Sequence, residues 1–131
     1  MSGPNGARIT ALLCEHSAYQ AYLDVADSPG LDAMDVVRLP CTGKVETGLL
    51  LRMLEGGSRG VLVLGCPKDN CENMQGSHRA EKRVAAARAA LGEAGAGPHR
   101  VRMDFVSSVD SHRLLAVVKD FAAVLDKDAN P

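Results

Sequence analysis

The sequence predicts an α/β domain: a single open parallel sheet of four strands with helices on both faces, in three layers. Three observations predict it. The apolar period switches repeatedly between a strand-like and a helix-like pattern along the chain. The segments so marked are joined by short turns rich in Gly, Pro and Ser. One apolar run, Gly60 to Gly65, is continuous in the manner of a strand buried on both faces.

The elements follow in order. Ile9 to Cys14 reads as a first strand and Ala18 to Ala26 as a first helix, ended by Ser28, Pro29 and Gly30. Met34 to Leu39 reads as the second strand. Val45 to Glu55 is a second helix, with Gly56 and Gly57 as stop signals. After the strand at Gly60 to Gly65 comes the longest helix, from about His78 to Ala94, with Ala80, Val84, Ala87 and Leu91 on one stripe and Gly95 to Pro98 behind it. Val101 to Val106 is a fourth strand. Ser111 to Leu125 is a last helix with Leu114, Val118, Phe121 and Leu125 facing inward, and Asp110 is placed to cap it. Strands alternating with helices through short turns build a flavodoxin-like or Rossmann-like three-layer sheet. One domain, residues 8–126, is expected between a flexible N-terminal tail (1–7) and a C-terminal tail (127–131).

Composition excludes several classes of function. The chain has 131 residues, 46% of them hydrophobic and 24% charged, which is ordinary for a globular domain and unlike a disordered or membrane protein. Apolar runs such as Val61 to Leu64 are far too short to cross a bilayer. Residues Met1 to Gly6 lack the basic flank and apolar stretch of a signal peptide, so a cytoplasmic location is expected. With a formal net charge of -1 and only two Phe and two Tyr, no nucleic-acid partner is expected.

Four cysteines in such a chain call for an explanation, because reducing compartments disfavour structural disulfides. Their positions are informative. Cys14 ends the first strand, Cys41 follows the second strand after Pro40, Cys66 ends the third, and Cys71 lies five residues later in the same loop. All four thus fall at the carboxyl ends of parallel strands, the edge at which open α/β sheets bind ligands. Core cysteines scattered by chance have no reason to choose that edge three times.

Four convergent thiolates suit either an iron-sulfur cluster or a structural zinc, and the Cys66 to Cys71 spacing is acceptable to both. Zinc commonly staples weakly cored modules through two short cysteine pairs; here one short pair accompanies a full α/β core, which leans toward a redox cluster. Gly65, Pro67 and the turn Lys68-Asp69-Asn70 are placed to wrap backbone N–H groups around the sulfurs. Other chemistries fare worse. A phosphatase-type loop needs an arginine where the chain has Gln20, a phosphate-binding turn needs more glycines or hydroxyls than Cys14 to Tyr19 supplies, and no base accompanies Cys14 as a nucleophile. A Cys66/Cys71 disulfide switch would leave Cys14 and Cys41 unexplained. A zinc-stabilised binding or assembly domain therefore stands as the alternative to an electron carrier.

Secondary candidates surround these loops. His16 is close enough to Cys14 to ligate a metal, although a loop histidine is the plainer reading. Arg79, Lys82 and Arg83 put positive charge near the start of the third helix, against its dipole, where with Lys68 they would offset the charge of a thiolate cluster or dock a partner; a plain solvated helix face is an equally good reading. Tyr19 and Tyr22 are read as packing residues.

Four blocks together carry a family resemblance: Leu13-Cys14-Glu15-His16-Ser17-Ala18-Tyr19, Arg38-Leu39-Pro40-Cys41-Thr42-Gly43-Lys44, Gly60-Val61-Leu62-Val63-Leu64-Gly65-Cys66 with Cys71, and Gly76-Ser77-His78-Arg79-Ala80-Glu81-Lys82-Arg83-Val84. In order and spacing they resemble the delta subunit of methyl-viologen-reducing hydrogenase, from about Ile9 to the last helix. The resemblance implies one 2Fe-2S cluster on Cys14, Cys41, Cys66 and Cys71. It also implies an electron relay between a hydrogenase, formate dehydrogenase or other oxidoreductase subunit and a flavin-bearing subunit of the heterodisulfide reductase type, in anaerobic metabolism. The chain departs from the family's usual pattern at His16, Ser17, Pro67 and Glu72. Four thiols still satisfy one cluster, so His16 and Ser17 are expected to affect tuning rather than cluster presence, while Pro67 and Glu72 bear on which oxidoreductase is the partner.

Overall fold

The fold rests on two strands that are buried from end to end, apolar but for Thr10. In a computed structural model, which describes residues 8–29, 31, 34–40, 45–67 and 76–129, β1 (Ile9–Cys14) and β3 (Gly60–Gly65) are buried at every position and pair in parallel. The edge strands β2 (Met34–Leu39) and β4 (Val101–Phe105) are only partly buried, and the sheet order is β2-β1-β3-β4, parallel throughout. Strand alternation splits the core in two. Ile9, Ala11, Leu13, Leu62 and Leu64 face one layer, while Leu12, Val61 and Val63 face the other.

This order makes the winding reverse between β1 and β3. The chain steps outward from β1 to β2, then crosses back over β1 to lay down β3 and continues away to β4. Crossovers share one handedness, so reversing the direction of winding puts the connecting helices on opposite faces. Accordingly α1 (Ala18–Val25) and α4 (Ser111–Ala129) cover one face, and α2 (Thr47–Glu55) and α3 (Gly76–Glu93) cover the other. The stripes Ala80, Val84, Ala87, Leu91 and Leu114, Val118, Phe121, Leu125 are all buried, as their spacing predicts.

Helix ends follow local chemistry. Both α2 and α3 close in a Schellman turn: Ser58 N–H reaches Met53 O and Gly57 N–H reaches Leu54 O, and Ala96 and Gly95 repeat the pattern on Leu91 and Gly92. Gly57 (φ 112°) and Gly95 (φ 70°) supply the positive φ that this turn requires. At α4 the Arg113 N–H donates to the Asp110 carboxylate at 3.2 Å, the expected cap. Several boundaries differ from the sequence reading, most of them by one or two residues, and two of the differences have a clear cause. The second helix starts at Thr47, because Val45 is fully buried and Glu46 remains extended; α4 continues past Leu125 to Ala129, because no Gly or Pro intervenes to stop it. Among the described residues no helix is long and apolar enough to cross a membrane.

Candidate metal centre

The register of the central strands decides where their ends emerge. Leu13 lies opposite Leu64, so Cys14 and Cys66 leave the sheet side by side at its carboxyl edge. Their Sγ atoms are 3.2 Å apart, and the residues are only 2% and 4% exposed. This is not a disulfide, in which the sulfurs would be about 2.0 Å apart. Two sulfurs that share one tetrahedral metal at about 2.3 Å stand roughly 3.7 Å from each other, so the pair need open by only about half an ångström to do so. The location is also the one at which the winding reverses, the usual ligand position in open α/β sheets.

The turn after β1 adds a third polar group to this buried end. Ser17 N–H bonds the Cys14 carbonyl at 3.2 Å, and the Ser17 carbonyl in turn accepts from the N–H groups of Gln20 and Ala21 to start α1. Ser17 is 4% exposed, its hydroxyl has no hydrogen-bond partner among the described residues, and it does not cap the helix it precedes. A buried hydroxyl left without a partner costs about 1–3 kcal/mol. Such a cost is tolerated where function requires the group or where a bound species completes its bonding. His16, by contrast, is exposed, in keeping with a loop histidine.

On the other side of β1 the approach to Cys41 is pinned. Glu15 N–H donates to Leu39 O at 2.7 Å, carrying the β1/β2 ladder one step past Cys14. The Arg38 guanidinium lies 5.4 Å from the Tyr19 ring centroid and 3.5 Å from the Glu15 carboxylate. Tyr19 and Tyr22, 6.0 Å apart between ring centroids, pack half-buried against the α1/α4 core, as the sequence predicts. Cys41 itself lies outside the described residues, as do Cys71, Lys68, Asp69, Asn70 and Glu72. Among the described residues no three His, Cys, Asp or Glu side chains are grouped to hold a metal ion. The structure thus brings together two of the four predicted ligands. Their donor chemistry, two buried thiol sulfurs 3.2 Å apart, suits a thiolate-held metal group.

The basic residues of α3 divide into two kinds that sequence alone does not separate. Arg79 and Lys82 are exposed. Arg83 instead reaches back to the segment that leaves the Cys41 loop, its Nη1 donating to Val45 O at 2.7 Å, while the Thr47 hydroxyl donates to the Arg83 carbonyl at 3.1 Å. Arg83 therefore anchors that segment, which corrects its reading as a docking charge. Nothing in the sequence points to this tie, because the partner is a backbone carbonyl 38 positions away. Nor does the sequence reveal that Ser17 is buried without a partner.

Residues 9–127 match the family described as methyl-viologen-reducing hydrogenase, delta subunit. The chain belongs to that family. Among its relatives, the vhu iron-sulfur subunit of the F420-non-reducing hydrogenase of Methanocaldococcus jannaschii is 34% identical over 125 residues, covering 91% of this chain and 90% of that protein. The iron-sulfur subunit of the F420-non-reducing hydrogenase of Archaeoglobus profundus is 32% identical over 122 residues, covering 91% of this chain and 88% of the relative. A different kind of relative comes from Methanosarcina acetivorans, where a subunit of the ferredoxin/F(420)H(2)-dependent CoB-CoM heterodisulfide reductase is 30% identical over 125 residues. That match covers 91% of this chain but 15% of the reductase subunit, so a delta-subunit-like segment is one part of a much longer polypeptide there.

Proposed function

We propose that this delta-family chain is an electron carrier holding one 2Fe-2S cluster on Cys14, Cys41, Cys66 and Cys71. It relays electrons between a hydrogenase, formate dehydrogenase or other oxidoreductase module and a flavin-bearing subunit of the heterodisulfide reductase type. The observation that carries the reading is the buried Cys14/Cys66 pair, with Sγ atoms 3.2 Å apart at the point where the sheet reverses its winding. A 2Fe-2S group, when bound, supplies reversible one-electron chemistry at a potential set by its surroundings.

The chain's own residues provide the rest. Cys14 and Cys66 project from rigid neighbouring strands, which keeps two ligands in place before any metal arrives and limits the rearrangement that an electron must wait for. Burial of both residues keeps water from one side of the site. Arg83, through Val45, steadies the chain that leads out of the Cys41 loop. Arg79 and Lys82 remain exposed for charge contact with a partner.

The reductase relative supports the choice of partner. In that protein a segment similar to this chain is part of one polypeptide with the rest of a heterodisulfide reductase subunit. A separate chain of the same kind is expected to work against the same type of surface. The relay role is tested by co-purification from native extract with a redox assay of the complex. The isolated chain should take up electrons from a strong reductant, show no dehydrogenase activity, and co-purify with a flavin-bearing or iron-sulfur oxidoreductase subunit. Robust turnover of a small substrate by the chain alone would overturn the reading.

A further inference from the structure

Before any metal arrives, the Cys14 and Cys66 thiols lie against one another, with Sγ atoms 3.2 Å apart. The backbone allows them a closer approach. Leu13 lies opposite Leu64, so Cys14 is level with Gly65 and one residue short of Cys66. Parallel strands about 4.8 Å apart, offset by about 3.3 Å along the chain, put the two Cα atoms about 6 Å from each other, within the span that a disulfide bridges. Pro67 restricts Cys66 to extended conformations, so it continues the line of β3. The sulfurs must close by about 1.2 Å to bond each other, or open by about half an ångström to share a metal. One pair can do either, but not both at once.

We propose that in the metal-free chain Cys14 and Cys66 form a redox-sensitive pair, which hydrogen peroxide converts to a disulfide that closes the site to the cluster. The inference rests on the cluster reading above. One sulfur attacks peroxide and breaks its O–O bond; the thiol proton goes to the departing hydroxide, leaving a sulfenic acid and one water. The second sulfur then attacks the first, and the S–S bond forms as a second water leaves. Two thiols thus lose two electrons and two protons to one peroxide. Because the second sulfur is already in contact, its attack is intramolecular and outruns further oxidation to sulfinic acid. Burial of both residues keeps protein-sized oxidants away, whereas the opening that admits a metal also admits a molecule as small as peroxide. Once joined, neither sulfur is a thiolate ligand, and a thiol reductant reopens the site. Spacing alone favours a bridge from Cys66 to Cys71, five residues on; the observed contact selects Cys14 instead.

The test uses the full chain, freed of metal and reduced without oxygen, then treated with one equivalent of hydrogen peroxide. Peptide mapping by mass spectrometry should find Cys14 joined to Cys66 with the loss of two hydrogens, and no sulfinic acid on either. The bridged chain should lose nearly all of the iron and sulfide uptake that the reduced chain shows, and a thiol reductant should restore it. Cys41→Ser with Cys71→Ser, which leaves only the proposed pair, should form the same bridge while its circular dichroism shows the fold retained. A bridge from Cys66 to Cys71, sulfinic acid on separate cysteines, or full iron uptake by the bridged chain would overturn the proposal. So would a folded double variant that forms no bridge. A reduced wild-type chain that takes up no iron would refute the cluster reading instead, and the mapped bridge would still decide whether the pair is redox-sensitive.

Discussion

The corner between β4 and α4 and the carboxyl end of β1 and β3 treat polar groups in opposite ways. At the corner, Arg102 bridges Asp104 at 3.1 Å and Asp120 at 2.5 Å, and Arg113 meets Asp104 while donating to the Phe105 carbonyl at 2.7 Å. The Arg102 guanidinium is held above its ordinary pKa, chiefly by the hydrogen bond to Asp120, with Asp104 adding to the effect and partial burial opposing it. Charge there is answered by charge. At the end of β1 and β3 the chain buries two thiols and the Ser17 hydroxyl more deeply, and that hydroxyl has no partner among the described residues. Two buried thiols 3.2 Å apart instead face one another there.

The comparison is broken most severely at the thiols. Cys14→Ala or Cys66→Ala should lose nearly all bound iron and the visible absorption that accompanies it, measured by metal analysis and spectroscopy of the anaerobic protein; Cys41→Ala and Cys71→Ala should do the same. A spectroscopically unchanged cluster in any one of them would remove that residue from the ligand set. Next in size is Arg83→Met, which leaves the Val45 carbonyl without its donor. A loss of about 1–2 kcal/mol in urea unfolding is expected, together with slower reconstitution of the cluster. Asp104→Ala dismantles the opposite region. Because its partners Arg102 and Arg113 are 29% and 46% exposed, the cost should be only about 1 kcal/mol, with iron content unchanged.

The smallest effect on the molecule itself is expected from Arg79→Glu with Lys82→Glu. Both side chains are exposed, so stability should shift by no more than about 0.5 kcal/mol. Association with the partner subunit should weaken, more visibly at low salt where surface charges are less screened. Binding that does not respond to this double change would move the docking surface away from the start of α3.

Much of the frame was legible because burial is written in residue type. The largely apolar β1 and β3, the helix stripes through Val84 and Phe121, and the stop signals at Gly57 and Gly95 each read directly as structure. The placing of Cys14 and Cys66 at strand ends was legible for the same reason. Their closeness was not, because it depends on β1 and β3 being neighbours, and strand order is a property of the crossovers. Arg83 could not be told from Arg79 by spacing, since a guanidinium that bonds a distant carbonyl has no pattern in the sequence. The burial of Ser17 likewise arises from the turn after Cys14 and not from its polarity, which alone would have placed it in water.

The central claim is that the carboxyl end of β1 and β3 holds a redox cluster, and metal and sulfide analysis of the protein purified without oxygen tests it most directly. About two irons and two acid-labile sulfides per chain, with visible absorption that bleaches on reduction, are expected. Stoichiometric zinc in a colourless protein would contradict the account and leave a cysteine-bound structural site in its place.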